Sequence, residues 1–382
     1  MATVIQPSVK QDLLRYGAVG MDLCFNCGNC TAVCPLSLDG TSFPRKLVRY
    51  AQLGLQDKLA SAPEPWLCYY CGECSATCPR EATPGETMAA LRRNAIAAYD
   101  VTGLAGLMFK FPAFAVFFTL ALGVLLGFFH LSIQAGKHAT EPAHWTNFTW
   151  IPYEVIHHLG VAVGGLMTLI VLAGLFNAAR LMLKPHGGFA GLRQHPFADY
   201  RRALAALGRE ISTMKRHAEC KADTERGEPW YRQPRFAHGT IMGGFFMLLA
   251  ATTLDFIFVF LLKIEFYGIA RPLGIVGGLV MLYGLLVYTA NRLKGASPNT
   301  RTTTLADAWL LFFLIVLDVT GFALLLIVTF GWKGLASDVI LLVHSVMAME
   351  LVLMFTVTKI GHALYRPMAL FIHFLKQPQP AA

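Results

Sequence analysis

The sequence predicts an all-α membrane protein: a helical domain over residues 1–100, then a bundle of six membrane-spanning helices over residues 101–382. Three observations carry this reading. Hydrophobic residues make up 55% of the 382 and charged residues 14%, against about 45–50% and about 25% in ordinary soluble domains. Eight of the nine cysteines fall between Cys24 and Cys78, leaving Cys220 alone beyond them. After Tyr99 the chain turns to long apolar runs, each near or above the ~20 residues that cross a hydrocarbon core.

The N-terminal domain is defined by its cysteines. Cys24, Cys27, Cys30 and Cys34-Pro35 have the spacing C-x2-C-x2-C-x3-C-P, and Cys68, Cys71, Cys74 and Cys78-Pro79 repeat it. A [4Fe–4S] cluster needs four converging thiolates, and in two-cluster ferredoxins the last cysteine of each such run ligates the other cluster. One cluster is therefore assigned to Cys24, Cys27, Cys30 and Cys78, and the second to Cys68, Cys71, Cys74 and Cys34. Zinc and disulfides are the competing readings. Zinc takes its ligands in pairs and fits a doubled run of four poorly. Disulfides need an oxidising compartment, and the polar, mixed start of the chain carries no secretory signal, so a reducing cytoplasm is expected. Gly28 and Gly72 follow the second cysteine of each run, where a backbone without Cβ turns tightly around a bulky cluster. Between the runs, Pro44 suits a first helical turn and Leu47, Tyr50, Ala51 and Leu55 share a face. A further helix is expected from Gly85 through Met88, Leu91 and Ile96, making this an α-helical two-cluster ferredoxin domain.

Six spans are read at roughly 108–133, 153–183, 238–262, 271–293, 305–330 and 337–362. The connection 184–235 is rich in basic residues (Arg193, Arg201, Arg202, Arg209, Lys215, Arg216, Arg226, Arg232, Arg235), and Arg292, Lys294 and Arg301 lie between spans four and five. By the positive-inside tendency both connections face the cytoplasm. The iron–sulfur domain and the C-terminus then share that side of a multi-pass cytoplasmic membrane protein, and 134–152 and the turns near 263–270 and 331–336 face outward. The net charge of +9 has the same origin, and nucleic-acid binding is excluded on that ground. Within the connection, Tyr200, Leu204, Leu207, Ile211 and Met214 recur at helical spacing. Such a helix either lies on the membrane surface or docks on the protein's own cytoplasmic domain. Cys220, just beyond it, reads as an ordinary free thiol.

A histidine within an apolar helix is unfavourable unless paired or ligated. His344 and His362 are eighteen residues apart. On one continuous helix that is five turns, placing both rings on one face about 27 Å apart, the arrangement for two haems b stacked across a bilayer. Each iron needs a second axial ligand at matching depth. His238 at the start of span three pairs with His362 for the inner haem. For the outer haem, His344 would pair with His157 or His158, with His130 also at that depth. His157 is preferred because Gly160 and Gly164 share its face. His138, His144 and His373 read as interfacial residues. Asp255, Asp318 and Glu350 lie within spans, where carboxylates serve as proton relays or quinone contacts, or else hydrogen-bond helices together.

These residues carry a family likeness. Pro44-Arg-Lys-Leu-Val-Arg-Tyr-Ala-Gln-Leu-Gly-Leu and Trp66-Leu-Cys-Tyr-Tyr-Cys-Gly-Glu-Cys-Ser-Ala-Thr-Cys-Pro resemble the small iron–sulfur subunit of heterodisulfide reductases. The bundle, with Arg235-Phe-Ala-His-Gly opening span three, is similar to their membrane cytochrome b subunit and more distantly to the nitrate reductase γ subunit. Their fusion resembles the membrane subunit of the quinone-interacting membrane-bound oxidoreductase complex. The resemblance implies that soluble flavin and iron–sulfur subunits dock on the ferredoxin domain and link the menaquinone pool to adenylylsulfate reductase in sulfur metabolism. One departure stands out: the γ-subunit pattern has a second haem histidine about ten residues after the first, and here that place, near Leu248, is apolar. The outer haem must then recruit span two or span one, or be absent.

The reading is an electron relay in the order quinone, haem, haem, cluster, cluster, soluble flavin subunits, running in either direction. Two others stay open: a membrane module of a heterodisulfide- or thiol-linked reductase, and a haem-free membrane scaffold with a redox-sensing ferredoxin domain.

Overall fold

The computed structural model describes residues 4–39, 42–133, 142–218, 227, 229–295, 300 and 303–377. Cys220, His138, Arg226 and Arg301 lie outside them, as does the side chain of His144. The described residues form helices and no strand. In the N-terminal domain the two cysteine runs fold alike. Each turns through a left-handed residue and a left-handed glycine, Asn26 and Gly28 in the first and Tyr70 and Gly72 in the second. Each then enters one short helix, Asn29–Ala32 or Glu73–Ala76. Positive φ is what glycine tolerates and a β-branched residue would not. The segment between the runs is broken into Arg45–Gln52, Gln56–Ser61 and Glu64–Leu67 rather than one helix through Leu55. Its apolar face is as expected, with Leu47, Ala51 and Leu55 buried. The helix Pro84–Tyr99 closes the domain.

Among the described residues six helices are long and apolar enough to cross a membrane: Pro112–Ser132, Tyr153–His186, Pro234–Leu261, Ala270–Lys294, Leu305–Phe330 and Leu335–Leu353. Spans three and four pack backbone to backbone, since a Cβ on Gly244 would lie 2.5 Å from the Gly277 carbonyl oxygen. Small residues at such crossings let helices approach where no hydrophobic drive separates protein from lipid. Span three ends in a π-helical turn, Phe256–Leu261.

The sixth apolar run departs from expectation. The helix stops at Leu353, and a second helix, His362–Lys376, begins after a break. His344 and His362 therefore do not share one helix, and the five-turn register does not apply to them. The cause is local. Thr356, Val357 and Thr358 are β-branched, Thr358 is extended (φ −118°, ψ −174°), and its hydroxyl donates to the Met354 carbonyl oxygen at 2.8 Å. Lys359 is drawn sideways into an ion pair with Asp307.

The break lets the last helix return to the N-terminal domain. Tyr365 is fully buried with Trp66 and Tyr99, with ring centres 5.1 Å from Tyr99 and 6.0 Å from Trp66. Asn177 of span two donates to the Ala98 and Tyr99 carbonyl oxygens at 3.1 Å each, capping the last helix of the domain. The helix Phe197–Thr213 docks on the C-terminal helix and on the domain, with Ala203 against Leu67, Leu370 and Phe374. Of the two readings of this amphipathic segment, docking on the protein itself is observed. Its buried stripe includes Ala203, Glu210 and Met214, whereas Leu204 points outward.

Asp307, at the start of span five, ties these pieces together. It is buried, caps its own helix through Thr304, and meets Arg93 at 3.7 Å, Arg292 at 3.8 Å and Lys359. Removing one partner from a buried charge cluster costs about 3–5 kcal/mol. Asp307→Ala is expected to lower stability by that order, measured as a fall in the thermal unfolding midpoint of the full chain in detergent; an unchanged midpoint would show that the cluster is not a fastener.

Candidate functional site

The eight cysteines of the two runs are all free thiols. The fold brings the two runs together. Burial raises the Cys30 thiol, and Cys24, Cys27 and Cys78 add to the shift. Burial pushes Cys34 up to about 12, with Cys68 and Cys71 adding to it. Cys74 is raised by burial and then by Cys68, Cys71 and Cys34. Cys78 thus lies near Cys30 of the first run and Cys34 near the second run, while Cys30 also acts on Cys34 and Cys74, so the two runs face each other. The short helices cross to make this so, fastened by the Asn29 side-chain amide on the Thr77 carbonyl oxygen at 2.6 Å.

Among the described residues no three His, Cys, Asp or Glu side chains converge closely enough to hold a single metal ion. A cubane keeps its thiolates at separate corners, wider apart than the ligands of a single zinc ion. Thiols that resist ionising together suit a cradle in which positive iron lies between them. Backbone N–H groups also reach the sulfurs, Tyr70 to Cys68 at 3.3 Å and Ala82 to Cys78 at 3.4 Å.

Next to Cys68 stands a contact set that the cysteine and histidine patterns did not predict. The Arg366 guanidinium lies 4.0 Å from the centre of the Tyr69 ring. His217 stacks on the same ring, with centres 4.9 Å apart and planes 8° from parallel. The Tyr69 hydroxyl donates to Glu210 at 2.5 Å. Burial, and next the neighbouring His238, pushes His217 down to about 4, so it is neutral at physiological pH. The second cysteine run is thereby joined, through Tyr69, Arg366 and His217, to the start of span three.

There the two histidines expected to pair come together. The His238 and His362 rings have centres 6.2 Å apart. Two imidazoles on opposite sides of one iron would have ring centres about 6 Å apart, given metal–nitrogen bonds of about 2 Å. His362 Nδ1 donates to the Lys359 carbonyl oxygen at 2.6 Å, which fixes the ring and leaves Nε2 as the atom that would coordinate an iron. Burial, and next His238, lowers His362 to about 3, keeping that nitrogen unprotonated. The pair therefore fits a haem, although the continuous helix that first pointed to His362 does not exist.

At the other end of the bundle the candidates are not brought into ring contact with His344. His344 Nδ1 lies 2.9 Å from the Thr320 hydroxyl, and its ring edge fills the space beside Gly321. Gly127 meets Val346 and Gly160 meets Met349, which puts His130 and His157 within about one helical turn of the level of His344. His130 is fully buried, with Nδ1 on the Leu126 carbonyl oxygen at 2.8 Å and Nε2 without a hydrogen-bond partner. His157 is packed against Phe260, ring centres 4.8 Å apart, and His158 is exposed. His373, on the C-terminal helix, lies with its Nε2 3.0 Å from the Gln377 side-chain amide. Of the carboxylates, Asp318 and Glu350 are buried and each has one oxygen without a partner, while Asp255 is half-buried where span three becomes π-helical. An unpaired buried oxygen is unfavourable by about 1–3 kcal/mol and calls for a role.

Sequence reasoning missed Tyr69, His217, Arg366 and Asp307. Arg366 could have been found from its spacing of one turn beyond His362. His217 had no signal, because only the docked helix before it brings it to Tyr69.

Fold and site together define a membrane-associated electron-transfer protein of the 4Fe–4S type, and a 4Fe-4S dicluster domain matches residues 20–82. The chain belongs to the citrate utilization protein B family, whose profile matches residues 149–382. The N-terminal part is similar to a protein of Archaeoglobus profundus that is described as like the C-type subunit of heterodisulfide reductase. The two are 36% identical over 104 residues, which are 27% of this chain and 55% of that protein. It is also similar to the C-type subunit of the H(2):CoB-CoM heterodisulfide,ferredoxin reductase of Methanothermobacter thermautotrophicus, 33% identical over 63 residues, 16% of this chain and 34% of the relative. The chain thus spans about half the length of the first relative and about a third of the second. No solved structure matches it.

That the two runs hold two cubane clusters rather than single metal ions is testable by stoichiometry. The reconstituted full chain is expected to bind about eight iron and eight acid-labile sulfide, and Cys34→Ser or Cys78→Ser to impair one cluster each. About two metal ions without sulfide would contradict it.

Proposed function

We propose that this chain is a membrane subunit that relays electrons between menaquinone and soluble flavin or iron–sulfur partner proteins. The observation that carries the reading is the His238–His362 pair at 6.2 Å, joined to the second cysteine run through Tyr69, Arg366 and His217. Two [4Fe–4S] clusters and b-type haem, when bound, supply the one-electron carriers that let a two-electron donor and a two-electron acceptor exchange electrons singly.

The chain's own residues do the rest. Cys24, Cys27, Cys30 and Cys78 hold one cluster, and Cys68, Cys71, Cys74 and Cys34 the other. His238 and His362 hold the inner haem. His344 holds an outer haem together with His157 or His130, and the exposure of His158 argues against it. Arg366 and the neutral His217 fix the Tyr69 ring between the two cofactor sites. The iron–sulfur domain and the C-terminus lie on the cytoplasmic side of the inner membrane, following the basic connections. Glu350 accepts protons released when quinol is oxidised, because its unpaired oxygen is buried within the span. Asp318 and Asp255 are its alternatives.

The resemblance implies adenylylsulfate reductase as the enzyme at the far end of the relay; the family description, citrate utilization, favours instead a soluble partner concerned with citrate. The heterodisulfide reductase relatives favour a second reading, a heterodisulfide-linked reductase module.

The test is to add a menaquinol analogue to the purified full chain and follow haem and cluster absorbance. Both are expected to be reduced, and Tyr69→Leu to slow the clusters while leaving the haem rate and both spectra unchanged. Glu350→Gln is expected to slow haem reduction about 100-fold. A protein whose cofactors all stay oxidised would overturn the proposal.

A further inference from the structure

The two cysteine loops share one backbone but differ in what covers them. In the second, Tyr69 is covered by this chain, with Glu210 and His217 from the docked connection and Arg366 from the C-terminal helix. In the first, the equivalent residue is Phe25, which is 62% exposed, and Cys27 beside it is exposed as well. Val19, Leu23 and Val33, close to it in the chain on either side, are also exposed. Single exposed apolar residues need no explanation, but a group of them around a cofactor loop does.

Three arginines flank this patch, with the exposed Glu81 beside Arg80 as its acidic neighbour. Arg80 lies over the Phe25 ring at 5.9 Å. Arg45 rests against Gly28. Arg49 bonds the Gln52 side chain at 3.4 Å, and Gln52 in turn donates to the Cys24 carbonyl oxygen at 2.8 Å. Asp22, the acidic residue of the same loop, is neutralised by Lys10 at 2.7 Å.

We infer that Phe25, Leu23, Val19 and Val33, flanked by Arg45, Arg49 and Arg80, form the docking face for a soluble redox protein whose own face is apolar with an acidic rim. The inference rests on the proposed function only in that the first cysteine run holds a cluster; it needs neither haem nor quinone. Each encounter passes one electron between the partner's redox group and the cluster, with no bond made or broken. A second copy of this chain is disfavoured as occupant, since it would set arginine against arginine. A small, steered interface of this kind suits partners that must also leave.

The probe is oxidised flavodoxin, an acidic FMN protein, so that binding is read without turnover. Its equilibrium binding to the full chain in nanodiscs is measured at low and high salt. The wild type is expected to bind at about 50 mM salt and to weaken steeply by about 300 mM. Reversing the rim (Arg45→Glu, Arg49→Glu, Arg80→Glu) is expected to weaken binding at least about tenfold and to flatten the salt dependence. Phe25→Ser is expected to weaken it about tenfold at either salt. Iron and sulfide content of each variant establishes that the loop has kept its cluster. No binding by the wild type, or variants that bind as it does, would overturn the inference. A wild-type dimer that Phe25→Ser dissolves would also overturn it, by naming the second copy as occupant. Absence of clusters from the wild type would instead sink the proposed function.

Discussion

The end of the sixth span at Leu353 is the constraint on which the rest of the structure depends. Continued as a helix, the last apolar run would carry His362 onward along the axis of His344, and Arg366 and Tyr365 with it. Because the chain breaks over Thr356–Thr358 and restarts at His362, a second helix comes free to lie between the bundle and the iron–sulfur domain. One side of it enters the core with Trp66 and Tyr99, and its first turn meets His238. The domain and the bundle consequently share a core, with Met88, Tyr99, Met182 and Tyr365 in one buried cluster.

This arrangement explains why two halves of a sequence repeat have come to differ. The backbone of Cys24–Cys34 and that of Cys68–Cys78 follow the same turns, yet Tyr69 of one is covered by Glu210, His217 and Arg366 whereas Phe25 of the other is exposed. Arg92 and Arg366 act on Cys68 of the second loop, while Arg80 lies over Phe25 of the first.

Much of this was legible in the sequence because the chemistry fixes it locally. Cysteine spacing alone marked the two runs that the dicluster domain covers, and apolar length alone located all six spans, although the last was read as running on to His362, past its end at Leu353. His362 was singled out by a helical register with His344 that fails at Thr358, but it was matched to His238 by depth, and their rings do meet. Depth in the bundle is what they share, and depth survives the break. The break itself was hidden because Thr and Val are as apolar as a span requires, and only their backbone stiffness and the pull of Asp307 on Lys359 end the helix. The amphipathic helix could not be assigned from its own pattern, since a lipid surface and a protein surface ask for the same stripe. Tyr69 and His217 were invisible for a related reason: they matter through a contact between segments far apart in the chain.

The most direct test of the central claim is low-temperature electron paramagnetic resonance of the oxidised full chain beside its His362→Ala variant. The account predicts a low-spin ferric haem signal of two imidazole ligands in the wild type, lost in the variant, while the signals of the clusters after reduction are the same in both. A wild type without that signal, or a variant that keeps it unchanged, would contradict the account.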